Sequence, residues 1–228
     1  LENDMSDVKI KDNHMVVQGM AFWRGGAANV DGVGAYGEIR RPVFGVDYLD
    51  QQGELPVEKL AIEKATVLDI DFEHTSDSDI LANIKVPLVF DAQPEAACRK
   101  LRSGELKLAM FNADKDKLCD AINSSPRHLE TLASLGNDAR VCDTVFLVVD
   151  AKLAETFERS QSLSLRAVAK GVQISAGGSH GESGSSSVTY EPGSVFGYGL
   201  VKPLFNGDRK KDRSKVLKLS TVQWGVLK

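Results

Sequence analysis

Cysteine is scarce in this chain. Its 228 residues include three, Cys98, Cys119 and Cys142, odd in number, widely spaced and without a CxxC pair. A disulfide framework and a cysteine zinc site are both disfavoured, and a reducing, cytoplasmic location is the expectation. Long apolar runs are missing too. No segment approaches the ~18 consecutive apolar residues that a transmembrane helix needs, so any membrane role must come from amphipathic elements. No charged-then-apolar stretch at the start reads as a signal peptide. An excess of positive charge is also lacking. Lys and Arg number 28 against 32 Asp and Glu, a net charge of -4, which argues against a general nucleic-acid binder.

A catalytic constellation is absent as well. Gly32-Val33-Gly34-Ala35-Tyr36-Gly37 matches GxGxxG, but a dinucleotide site needs a strand before it and a helix after it. Pro42 and β-favouring residues follow instead, so the stretch reads as a flexible loop. Gly177-Gly178-Ser179-His180-Gly181 matches GxSxG without the helix that a nucleophile elbow needs. A hydrolase using Ser179 is the weaker alternative to a mobile Gly/Ser loop. His14, His74, His128 and His180 show no metal-ligand spacing. Asp69, Asp71 and Glu73 lack a glycine-centred calcium loop and read as a solvated strand face. No catalytic residue, metal or cofactor is expected, and the weight moves from enzyme towards binding or assembly.

What is present is patterned. The chain is 42% hydrophobic and 26% charged, ordinary for a globular domain. "MVVQGMAFWR" (Met15 to Arg24) reads as a strand, and "RPVFGVDYLD" as another. "TVLDIDFEH" sets Leu68, Ile70 and Phe72 against Asp69, Asp71 and Glu73. "NIKVPLVFD" puts Ile84, Val86, Leu88 and Phe90 on one face, and "GELKLAMF" puts Leu106, Leu108 and Met110 on another. Such alternation means strands with one dry and one wet face. "DAQPEAACRKLRSG" reads as a short helix between the last two.

The middle is helical. "DKDKLCDAI" is a short helix, and "SSPRHLETLASLG" a second, with Ser125 placed to cap, Pro126 at the first position and Gly136 after the last turn. Strands then return: Val145 to Val149, a longer stretch from Leu163 to Ile174, a Gly/Ser-rich connection, "VTY", a Pro192-Gly193 turn and a closing strand from Val195 to Lys202. Long alternating strands suit either a soluble sheet with one buried face or a large membrane barrel, whose spanning strands take about 9 to 11 residues.

"VFLVVDAKLAETFERSQSLSL", a Gly/Ser-rich tip and "SVTYEPGSVFGYGLVKPL" together resemble the later half of the gasdermin pore-forming domain. "FGVDYLD" is similar to that family's early strand. The resemblance covers about half of the chain by motif and the rest by order of elements. It implies an α+β fold, a twisted antiparallel β-sheet with peripheral helices, over residues 1–205. It also implies oligomerisation on acidic membrane phospholipids and a pore of two β-hairpins per subunit, one from Ala65 to Phe111 and one from about Glu158 to Tyr190. Their membrane-inserting side chains would be Leu68, Ile70, Phe72, Ile84, Val86, Leu88, Leu106 and Leu108, then Leu163, Leu165, Val172 and Ile174.

Phe22, Trp23 and Arg24 fall where the family's first strand enters a membrane-contacting loop. Arg209, Lys210, Lys211, Arg213, Lys215 and Lys218 form a basic segment within 206–228, suited to an anionic surface at roughly 1 kcal/mol per charge. In each case a core strand and a solvated charged turn are the competing readings. The stretch after Leu204 is too short for the inhibitory domain of animal gasdermins, so the chain is most similar to the short fungal regulator-of-cell-death proteins of allorecognition. That implies a cytoplasmic protein that relocates to the plasma membrane. The implied partners are further copies of itself or a related allelic protein, and no nucleic acid. The alternative is an α+β interaction module that never enters a membrane.

Overall fold

A computed structural model describes residues 7–11, 14–24, 32–43, 47–56, 59–71, 99–100, 102–150, 195–208 and 212–225. Strand β1 (Asp7–Ile10) pairs antiparallel with β2 (His14–Val17), which turns through Gln18-Gly19 into β3 (Met20–Arg24). Both turn residues have positive φ, 51° and 79°, the backbone that a tight two-residue hairpin needs to match strand twist. Met15 to Arg24 is therefore a hairpin and not the single strand expected. Next come β4 (Ala35–Arg40) and β5 (Tyr48–Glu54), antiparallel with a bulge at Tyr36/Gly37. An added Cβ at Gly37 would run into the Asp50 carbonyl, so this close approach requires glycine.

β6 (Ile62–Ile70) and β7 (Leu106–Ala113) pair antiparallel. Helix α1 (Lys115–Asn123) then begins at Asp114, whose carboxylate accepts from the N–H groups of Asp116 (2.8 Å) and Lys117 (3.0 Å), donors that the first helical turn cannot satisfy itself. Helix α2 (Pro126–Leu135) starts on its proline and stops at Gly136, whose φ is 65°. The Ser125 side chain makes no cap bond; proline alone marks that start. A short 3-10 turn (Gly136–Asp138) leads into β8 (Ala139–Asp150), and β9 (Val195–Phe205) and β10 (Val216–Val222) complete the described elements.

The architecture is mixed α and β with strands predominating and, among the described residues, two α-helices longer than a turn. The sheet differs from the open twisted one expected. Seven strands, β9-β3-β2-β1-β6-β7-β8, return to β9 and close a ring. The long strands β8 and β9 make closure possible. One edge of β8 serves β7 over Thr144–Asp150 and β4 over Ala139–Val141, while its other edge takes β9. Likewise β9 serves β3 at Gly197–Tyr198 and β10 over Leu200–Phe205. A parallel pairing of β1 with β6 brings the N-terminal hairpin round; every other pairing in the sheet is antiparallel. Residues 216–222, expected to belong to a basic tail, thus add a strand to the sheet.

Two apolar clusters follow from the ring. One takes residues of a single face from all seven strands: Ile10, Met15, Leu68, Leu106, Leu108 and Phe146 among its buried members, with Phe22 and Phe196 packed against them. This is the ring interior. The other lies outside, where Phe111, Val145 and Tyr198 meet Leu118 and Ile122 of α1, Leu132 of α2, and Val216 of β10. β7 serves both, with Leu106 and Leu108 inward and Ala109 and Phe111 outward, as the period of two in a strand dictates.

Candidate functional site

The first expected hairpin can be placed in part. Leu68, Ile70, Leu106 and Leu108 are buried in the ring interior. On the opposite face, Lys107 Nζ donates to Asp69 Oδ1 at 3.0 Å, and Lys9 lies 3.8 Å from the Asp71 carboxylate. A membrane barrel carries its apolar residues outward and polar ones inward. This ring has the reverse arrangement on these strands, so as folded it presents charge, not lipid-compatible surface. Phe72, Ile84, Val86, Leu88, Leu163, Leu165, Val172 and Ile174 lie outside the described residues, as does Ser179.

The strand ends are nonetheless ordered in a telling way. Leu68 pairs with Leu108, Leu106 with Asp150, and Leu147 with Val195. The end of β6, the start of β7, the end of β8 and the start of β9 therefore stand side by side at one rim. From that rim the chain leaves over 71–105 and returns, then leaves again over 151–194 and returns.

The aromatic pair expected at a lipid-contacting loop sits in the core. Phe22 packs edge-on against Phe146, ring centroids 4.9 Å apart, inside the ring. Trp23 faces outward but is fully buried beneath the second cluster, stacked with Tyr198 at 6.4 Å. Alternation along β3 sends adjacent aromatics to opposite faces, and both faces are covered here. The side chain of Arg24 lies outside the described residues.

The described part of the basic segment is held by hydrogen bonds and runs into β10. The Asn206 carboxamide accepts from the backbone N–H of Ser214 and of Lys215, each at 3.0 Å, and Asn206 N–H donates to the Lys215 carbonyl at 3.0 Å. Arg213, expected to meet lipid, donates from Nη1 to the Ala133 carbonyl (2.9 Å) and from Nη2 to the Asp208 carbonyl (2.7 Å), with the Phe205 ring 5.4 Å from its guanidinium carbon. It thereby caps an open carbonyl at the end of α2. Lys215 and Lys218 are exposed, and Arg209, Lys210 and Lys211 lie outside the described residues. The end of β9, Asp208, Arg213 and the 3-10 turn line an open cleft of about 380 Å³, with Asn137, Lys202 and Phe205 among the lining residues.

Several polar groups inside the protein escaped the sequence reading. Asn123, the last residue of α1, donates to the Val216 carbonyl (2.9 Å) and accepts from the Val216 N–H (2.8 Å). Asp143 is buried at a β8 bulge, accepting from Thr144 Oγ1 at 3.2 Å with Lys115 Nζ 4.0 Å away. Burial pushes its carboxyl above the usual range, opposed by Lys115 and Thr144; Lys115 also donates to Thr221 of β10. Arg140 is 1% exposed, and its Nη1 donates to the carbonyls of Asn137 and Ala139, both at 2.7 Å. Polar letters within "ARVCDTVF" were the available signal: Arg and Asp inside an otherwise apolar strand mark buried polar sites.

Of the look-alike motifs, the GxGxxG stretch and two of the histidines fall among the described residues. Gly32–Gly34 turn directly into strand β4, without a helix. His14 stacks on Trp224 at 4.3 Å and 7°. His128 Nδ1 lies 2.8 Å from the Tyr36 hydroxyl, and burial, then Arg127 and Lys59, lower its pKa. Burial raises the pKa of the Cys142 thiol well above its ordinary value, which removes it as a nucleophile. Among the described residues no group of His, Cys, Asp and Glu could hold a metal ion, and no helix is long and apolar enough to cross a membrane. No family model, curated protein or solved structure matches the chain.

Proposed function

We propose that this chain is a pore-forming protein of gasdermin type that oligomerises on acidic lipid and causes lytic cell death, triggered by a related partner. One observation carries the reading: the two long excursions, 71–105 and 151–194, leave from one rim of four contiguous strands, β6, β7, β8 and β9. Two strands that span a bilayer need roughly 20 residues between them, and each excursion exceeds that. Extending the four strands past the rim would carry their existing register outward as two adjacent hairpins. The alternating apolar residues of 84–90, with Leu163, Leu165, Val172 and Ile174 of the second excursion, would supply apolar side chains for such hairpins. Backbone groups within the bilayer all need partners, so a ring of many subunits, not a lone one, is the inserting species. The protein has no catalytic role in this reading.

The second reading, a soluble interaction module, draws on the inward packing of Leu68, Ile70, Leu106 and Leu108. Dye release from liposomes separates the two. Leakage is expected from vesicles with acidic lipid and a related partner present, and it should fall at least tenfold for Val86→Arg, since an arginine on the lipid face of a barrel costs about 2–4 kcal/mol at the midplane. Absence of leakage under every lipid and partner condition would leave the interaction module standing.

A further inference from the structure

We propose that the cleft at the end of β9 is a binding site for a phosphomonoester. Its volume, about 380 Å³, falls within the roughly 300–1,000 Å³ of small-molecule sites. Lys202 lines it, and its ammonium has no hydrogen bond or ion pair among the described residues. Arg213 lines it in a fixed orientation, because the Ala133 and Asp208 carbonyls and the Phe205 ring hold its guanidinium. Those two hydrogen bonds use two of five N–H donors; the remainder are oriented in advance, so little side-chain entropy is lost on binding.

A third cation lies behind the wall. Arg140 holds the carbonyl of Asn137, a lining residue. Its Nε is buried without a hydrogen-bond partner among the described residues. Val141 pairs with Val201, so Arg140 occupies the position next to Lys202 across the strand pair. The nearby acids offset part of this charge, since Asp138 acts on Arg140 as well as on Arg41. Asp138 is paired with Arg41 at 3.3 Å, which leaves the Asp208 carboxylate as the acid in the lining. A fork of arginine beside a lysine suits a compact dianion, and Pro203, Leu204 and Phe205 give an apolar wall for the organic part of the ester. The site requires neither insertion nor oligomerisation, so it stands apart from the pore reading.

The test uses the full chain and one chemistry from two sources. Glycerol 3-phosphate, titrated calorimetrically at constant ionic strength, offers the free phosphomonoester. Vesicles containing phosphatidic acid offer the same group on a lipid, with phosphatidylglycerol vesicles of equal charge as the diester control. Binding to either source, preferred over the control and at least tenfold weaker in Lys202→Gln, supports the site, and the responding source identifies the ligand. Lys202→Arg should retain most of the affinity. Wild-type protein that binds neither source, or a folded Lys202→Gln that binds as tightly as wild type, overturns the proposal. Dye release by Lys202→Gln at the wild-type level would show that the cleft and the pore activity are separate, and loss of one leaves the other to be judged alone.

Discussion

Replacing Asn123 by alanine is expected to destabilise the protein by about 2–3 kcal/mol, and to loosen β10 before anything else. The Asn123 carboxamide makes a paired contact with one backbone unit, donating to the Val216 carbonyl at 2.9 Å and accepting from its N–H at 2.8 Å. Val216 is 1% exposed, so neither group regains water when the carboxamide is removed. Two neutral hydrogen bonds contribute about 1 kcal/mol each, and orphaned buried partners add about another 1 kcal/mol. In a chain of this size each kcal/mol corresponds to roughly 2–4 °C in melting temperature. Urea unfolding would read the energy and amide exchange would locate it, with faster exchange over 216–222 and unchanged protection in β7. Asn123→Asp separates the two bonds, since its carboxylate still accepts from the N–H but faces the carbonyl with a like-signed oxygen. A loss below about 0.5 kcal/mol in the alanine variant, or exchange in β10 equal to wild type, would refute the idea that this one side chain fastens the strand to the helix.

Further outcomes follow from the buried groups and from the ring interior. The Asp143 carboxyl titrates above its ordinary range because it is buried, so its contribution to stability is complete below that range and is lost as pH rises through its folded value. Asp143→Asn should therefore flatten the decline in stability with rising pH and melt higher than wild type at pH 7, a comparison that thermal scans at pH 5 and 7 would check. Gly197 faces the ring interior, where an added Cβ would collide with the Met15 sulfur and approach the Trp23 carbonyl to 3.1 Å. Gly197→Ala is expected to cost about 1–3 kcal/mol by overpacking, and adding Met15→Ala should cost less than the sum of the two single changes, measured by denaturant unfolding. His128 is held below its ordinary pKa chiefly by burial. The stability it contributes is present above the ordinary histidine range and lost as pH falls through its folded value, so His128→Gln should weaken the acid-side loss between about pH 7 and 5.

Local chemistry was the readable part of this fold. The Asp114 carboxylate bounds the first helix through N–H groups two and three residues on, and Pro126 and Gly136 bound the second through their own backbone, with no distant partner needed. Alternation in "TVLDI" and "ELKLAMF" located β6 and β7 and sorted their residues by face. It could not say whether the apolar face meets lipid, a flat core or the inside of a ring, because closure depends on the contacts of β9 with β3 and of β1 with β6. β10 was obscured for a physical reason: a bulge between Val216 and Lys218 separates the buried Val216 and Leu219 by three positions, and the strand then lacks the period of two. The hairpin at Gln18-Gly19 was hidden because glutamine is not among the residues that usually announce such a turn. The cleft was illegible for a similar reason, since Lys202, Arg213 and Arg140 come together only when β9, the following loop and β8 are in place.

Closure of the ring also sets an order of events during synthesis. The join between β3 and β9 links Trp23 to Tyr198, so the interior cannot be sealed until the chain has emerged almost as far as residue 200. Until then Leu68, Leu106 and Leu108 line an open trough. Contacts so far apart in sequence form slowly, because loop-closure entropy is lost before they are rewarded. The nascent protein accordingly passes through a stage in which its apolar strands are made and unsealed, the stage at which a chaperone, another copy of the chain or a membrane competes for the same surface.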